Sequence, residues 1–146
     1  MSDTEIMLDQ IDQIISWYDE NSSTAPVERL LDAQDKLSTL SWNLAELSSQ
    51  TKTDYTYKYF IRKIQVNKSA QALVKNQIEK AWNKAISRSE IENEEHLRNE
   101  VTSEGAAYAA ELKLKQVNKI LQVMQQRISF SKKLYEMNQF ILKSEM

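Results

Sequence analysis

Ala106–Leu142 reads AAYAAELKLKQVNKILQVMQQRISFSKKLYEMNQFIL, and it decides the fold, because its apolar residues keep helical spacing over the whole length. One row is Ala110, Leu114, Val117, Leu121, Met124, Ile128, Tyr135 and Leu142, interrupted at Ser131 and Asn138. A second row, Ile120, Arg127, Leu134 and Ile141, runs beside it, and Val123, Phe130 and Met137 widen the apolar face. A face this wide suits a helix packed against two neighbours better than a narrow two-stranded seam. At 1.5 Å per residue such a helix is roughly 55 Å long, and it sets the length of whatever packs on it.

The remainder of the chain agrees with few, long helices. Its 146 residues contain one Gly and one Pro, whereas a sheet protein of this size spends many of both on turns. With 41% hydrophobic residues there is enough apolar surface for one core, so a single domain over residues 1–146 is the expectation. No cysteine is present, which removes disulfides and thiolate metal sites. Residues 1–15 alternate acidic and apolar side chains, unlike a signal peptide, and no apolar run approaches the roughly 18 residues of a membrane span. The expected location is the cytoplasm, away from any membrane.

Taken in order, the spacing predicts helices over about 3–20, 25–48, 56–86, 89–101 and 104–143. Ser2 or Asp3 caps the first, which ends in the polar run Asn21-Ser22-Ser23-Thr24. Thr24 caps the second, with Pro26 in its first turn. Leu30, Ala33, Leu37, Leu40, Leu44 and Leu47 then hold a heptad-like row, but the next positions in that frame are Thr51, Asp54 and Lys58. The register fails there, and the Ser/Thr-rich stretch 48–56 reads as a kink or connection. An apolar stripe resumes at Tyr57, Ile61 and Ile64 and drifts to Val66, Ala70, Leu73, Ile78, Ala81, Trp82 and Ala85. Ser89-Glu90-Ile91-Glu92 has capping-box spacing for a fourth helix, and Thr102-Ser103-Glu104-Gly105 marks a last break. The expected fold is therefore all-α: an elongated antiparallel helical bundle, or coiled-coil-like hairpin, with a long C-terminal helix.

Charge falls into four blocks. Residues 1–50 carry ten acidic and two basic side chains, and residues 89–111 carry seven Glu against Arg98. Residues 52–88 carry nine basic side chains against Asp54 and Glu79, and residues 112–146 carry seven against Glu136 and Glu145. Two readings stay open. Oppositely charged blocks can face one another and select the pairing of the helices, since exposed ion pairs contribute only about 0–1 kcal/mol each. Alternatively the basic blocks converge on a phosphate backbone or an acidic protein. Candidates for that contact are Lys52, Lys58, Arg62, Lys63, Lys68, Lys75, Lys84 and Arg88, with Tyr55 and Tyr59 placed to stack unpaired bases. Tyr57, Phe60 and Trp82 lie near the apolar stripe and are expected in the core.

No catalytic, metal or nucleotide pattern appears. His96 is the single histidine, so one chain cannot build a His-based metal cluster, and its i, i+4 neighbour Glu92 reads as a solvated contact. There is no glycine-rich phosphate loop and no calcium-loop pattern in the Glu-rich stretch. The expectation is a protein without enzymatic activity, metal or cofactor, acting through a protein partner or nucleic acid; a purely structural coiled-coil oligomer is the alternative, and a homodimer is a further expectation.

Tyr57-Lys58-Tyr59, Ala106-Ala107-Tyr108-Ala109-Ala110-Glu111 and Met124-Gln125-Gln126-Arg127-Ile128-Ser129 carry a resemblance in order and spacing. Over roughly residues 50–135 the chain resembles small all-helical proteins of phages and prophages, of the kind found near recombination and single-strand-binding genes. That resemblance implies an accessory protein that assists DNA recombination or replication, or disables a host nucleic-acid-targeting defence by binding its effector. It implies no active residue; for a phage-encoded chain it implies a place in the host cell cytoplasm.

Overall fold

The computed structural model describes residues 2–73 and 82–145. Helix α1 spans Asp3–Asn21, α2 Val27–Leu73, α3 Trp82–Glu92 and α4 Glu94–Glu145. The described residues are 95% helical and include no strand, so the chain is all-α with its longest helix last.

The first helix starts where the sequence says. The Ser2 hydroxyl accepts from the Glu5 N–H, and the Glu5 carboxylate accepts from the Ser2 N–H, a reciprocal cap of the kind that contributes about 1 kcal/mol. At its other end the Asn21 side-chain amide donates to the Trp17 carbonyl. Helix α2 begins at Val27, two residues later than the expected start at residue 25. The Pro26 carbonyl accepts from Arg29 and Leu30, and a proline cannot donate to the preceding turn.

Three expected breaks are not breaks. Residues 48–56 are continuous helix, because the hydroxyls that would otherwise compete with the backbone bond back to it. Thr51 donates to the Leu47 and Ser48 carbonyls, Thr53 to Ser49, and Thr56 to Lys52. Ser87 and Ser103 do the same toward Asn83 and Asn99, so Ser87–Ser89 and Thr102–Gly105 also stay helical. The break falls at Asn93 instead. Its side-chain amide donates to the Ser89 carbonyl and to the Ser69 hydroxyl on α2, which holds the turn between α3 and α4. Part of the expected 56–86 helix, including Ile78 and Ala81, lies outside the described residues.

The residues cluster into two compact units. Unit 1 is built from Met1–Ala45 and Leu112–Met146, hence from α1, the start of α2 and the end of α4. Unit 2 is Glu46–Glu111. Within unit 1, α1 packs antiparallel to α2: Gln13, Ile14 and Trp17 share a groove with Arg29, Asp32, Ala33 and Lys36. Helix α4 also runs antiparallel to α2, with Ser41 bonded to Asn118 and Val27 beside Ser131 and Tyr135. The core holds Ile11, Leu37, Leu44, Val117 and Met124, all fully buried. Each large apolar side chain so placed stabilises the fold by roughly 1.5–3 kcal/mol.

The inner row of α4 is longer than the apolar stripe suggests. In steps of four and three it runs His96, Glu100, Ser103, Ala107, Ala110, Leu114, Val117, Leu121, Met124, Ile128, Ser131, each buried or half-buried. Tyr135 and Leu142, expected to continue it, are exposed. On α2 the inner row keeps heptads from Leu30 to Thr51 and then changes period. Thr51, Tyr55, Lys58, Arg62, Val66, Ser69 and Leu73 recur at eleven residues, so the register that looked lost at Asp54 continues one residue later, at Tyr55.

Candidate functional site

In unit 2 the change of period turns polar and charged groups inward. Arg62 reaches across from α2, and its Nε donates to Oε2 of Glu100 on α4. The Arg62 side chain is 16% exposed and that of Glu100 6%. Beside them the Tyr55 phenol is pushed above its ordinary value, by partial burial first and then by the carboxylates of Glu104 and Glu100, with the Arg62 guanidinium opposing. Among the described residues of this unit Val66, Ala70, Ala85, Ser89, Ser103 and Ala110 are also buried, small residues for the most part. The Ser89 hydroxyl is buried and, among the described residues, has no hydrogen-bond partner.

The ten sequence candidates therefore divide. Arg62 is committed to Glu100. Lys58 pairs with Asp54 at 3.1 Å and Arg88 with Glu92 at 3.2 Å, each one turn along its own helix. Lys52, Lys63, Lys68 and Lys84 are exposed, and Lys75 lies outside the described residues. They do not share one face. Lys52 and Lys63, three turns apart, flank one side of the inner row of α2, Lys68 flanks the other, and Lys58 lies on the row itself. The basic block meets the acidic block 89–111 through Arg62 and Glu100, and in unit 1 Lys113 of the last block pairs with Asp12 of the first.

Tyr55 and Tyr59 are half-buried and contact one another with ring centroids 6.5 Å apart, and Tyr59 meets Phe60 edge-on at 5.5 Å. The Lys63 ammonium and the Arg62 guanidinium lie 5.6 and 5.9 Å from the Tyr59 ring centroid, within cation–π range. The core expectation for Tyr57 and Phe60 is corrected: they are 64% and 57% exposed. With an eleven-residue period the inward positions are Tyr55, Lys58 and Arg62, so Tyr57, Phe60 and Ile64 fall on the opposite side of α2. Trp82 is half-buried. Tyr57 and Phe60 line a shallow groove with Ser49, Lys52, Thr53 and Thr56. On α4 a second exposed row carries Leu97, Val101 and Tyr108.

Glu100 and Asn93 are the residues that sequence reasoning passed over. A signal for Glu100 existed: the α4 row, continued backwards from Ala110 in threes and fours, lands on Ala107, Ser103, Glu100 and His96. His96 is half-buried on that row, and Glu92, its expected neighbour, accepts from Arg88 instead. Among the described residues no group of three or more His, Asp or Glu is placed to hold a metal ion, and no helix is long and apolar enough to cross a membrane. No family model, no curated protein and no solved structure matches this chain.

Proposed function

We propose that this chain is a non-catalytic binding protein that docks on a protein partner through the outward face of α2 in unit 2. One observation carries this reading: charge and hydroxyls are turned inward, while Tyr57, Phe60 and Ile64 form an exposed row edged by Lys52, Lys63 and Lys68. Aromatic and aliphatic side chains at the centre with a polar rim are the anatomy of a recognition surface. The lysine rim favours an acidic partner surface and a fast, salt-sensitive encounter. The resemblance of residues 50–135 to phage accessory proteins supports placing that partner in a nucleic-acid-processing system, as an inhibited defence effector or a recombination enzyme.

Tyr57→Ala with Phe60→Ala tests the reading. Both side chains lie outside the packed rows, so thermal unfolding stays unchanged while capture of the partner is lost; retained capture removes this face. A second reading, direct binding of single-stranded nucleic acid, is favoured by the groove itself, where Lys52 lies beside two exposed rings and three hydroxyls. It requires a complex with a labelled oligonucleotide that weakens steeply with salt. Absence of any complex at low salt leaves the protein partner standing.

A further inference from the structure

Helix α4 runs on past the first turn of α2. Val27 sits against Ser131, Lys132, Tyr135 and Glu136, and every residue from Lys132 to Glu145 is exposed. These last turns are not polar: Leu134, Tyr135, Met137, Phe140, Ile141 and Leu142 are 45–71% exposed. A helix of about fourteen residues without a neighbour is marginal in water, so this end of α4 keeps its structure best when something covers it.

The spacing indicates what does. Val123, Arg127, Phe130, Leu134, Met137, Ile141 and Ser144 recur in fours and threes, a second coiled-coil row beside the inner one that ends at Ser131. Lys132, Glu136 and Lys143 fall on the opposite side of the helix. Against its own reverse the row is self-complementary: Phe130 meets Ile141, Leu134 meets Met137, and Arg127 meets Ser144 next to Glu145. Paired in parallel and in register, it would stack Arg127 on Arg127 inside the seam, two like charges with no carboxylate between them. The antiparallel arrangement also sets Lys133 of one copy beside Phe140 of the other, a cation near an aromatic ring.

We propose that residues 123–145 of α4 form the contact of a homodimer, two copies pairing antiparallel about a two-fold axis between Tyr135 and Glu136. One isologous contact then covers both exposed ends. Phe130, Leu134, Met137, Phe140 and Ile141 each bring roughly 100 Å² to it. The pair buries on the order of 1,000 Å², where specific interfaces begin. This surface belongs to unit 1 and is separate from the α2 face of unit 2, so either can fail without the other.

Sedimentation equilibrium of the full chain at tens of micromolar should give twice the 17.0 kDa chain mass. Leu134→Asp with Ile141→Asp should raise the dissociation constant at least 100-fold and return the single-chain mass. Because both positions lie off the inner row, the thermal transition of the variant is the control for folding. Orientation is read from spin labels, since the sequence has no cysteine of its own. Labels on Asn138→Cys, an exposed position beside the row near the axis, should lie close to one another. On Ser144→Cys they should be separated by roughly 25 Å along it, at 1.5 Å per residue. A monomer at these concentrations, a dimer that survives the double substitution, or labels at position 144 as close as those at 138 would overturn the proposal.

Discussion

Nε of Arg62 donates to Oε2 of Glu100, joining α2 to α4 across 38 residues of sequence and placing an ion pair where a coiled coil ordinarily carries leucine. Such a pair selects register more than it stabilises, because removing two charges from water offsets most of their attraction. Sliding α2 along α4 by a turn sets Arg62 against Ser103 in one direction and against His96 in the other, so either slide breaks the pair.

Arg62→Met therefore destabilises the protein by about 3 kcal/mol, leaving the Glu100 carboxylate buried and unpaired. Adding Glu100→Met recovers the loss to within about 1 kcal/mol, as two apolar side chains replace the pair. Urea denaturation of wild type, both single variants and the double variant measures the cycle. An additive double variant would mean that the two side chains do not interact.

Ser89→Ala should stabilise the protein by about 1 kcal/mol, since the serine hydroxyl is buried with no partner and alanine is the better helix former. A raised denaturation midpoint with an unchanged slope is the expected result. A lowered midpoint would show that the hydroxyl has a partner in solution.

Met124→Asp places an unpaired carboxylate at a fully buried position of the unit 1 core. The cost is several kcal/mol against a total of about 5–15 for a domain. Loss of a cooperative thermal transition is expected, while Tyr135→Asp, at an exposed position of the row the sequence suggested, leaves that transition in place.

The Tyr55 phenol gives a pH signature. Its folded value is raised above the ordinary 10.0, so the folded state holds the proton more tightly than the unfolded state does. The resulting stabilisation is fully present below the unfolded value and is lost as pH rises through the folded one. Denaturation midpoints of wild type and Tyr55→Phe, compared between pH 9 and 11, should fall more steeply for wild type. Parallel slopes would remove Tyr55 as the source.

The apolar core of unit 1 is legible in the sequence because Leu30, Ala33, Leu37 and Leu44 on α2 and Val117, Met124 and Ile128 on α4 keep their spacing. Unit 2 is not, because its inner rows are filled by Thr51, Tyr55, Lys58, Arg62, Glu100 and Ser103, whose types read as surface. The serine and threonine runs misled for a local reason: a hydroxyl that bonds back to the carbonyl one turn earlier no longer competes with the helix. Asn93 ends a helix through a tie to Ser69, and nothing near it in sequence announces that contact.

The division of the chain also bears on how it is made. Unit 2 is one contiguous segment, Glu46–Glu111, whereas unit 1 needs Met1–Ala45 and Leu112–Met146 together. On the ribosome the first segment therefore emerges with its apolar face uncovered and waits for Leu112–Met146 to be translated. Closing a flexible loop the length of unit 2 costs about 3–4 kcal/mol of entropy beyond a constant. If unit 2 folds while synthesis continues, that loop is already closed when Leu112 appears, and assembly of unit 1 becomes a docking step between ends held near each other. Substitutions that weaken the Arg62–Glu100 seam of unit 2 should then slow the burial of Leu37 and Met124 in unit 1.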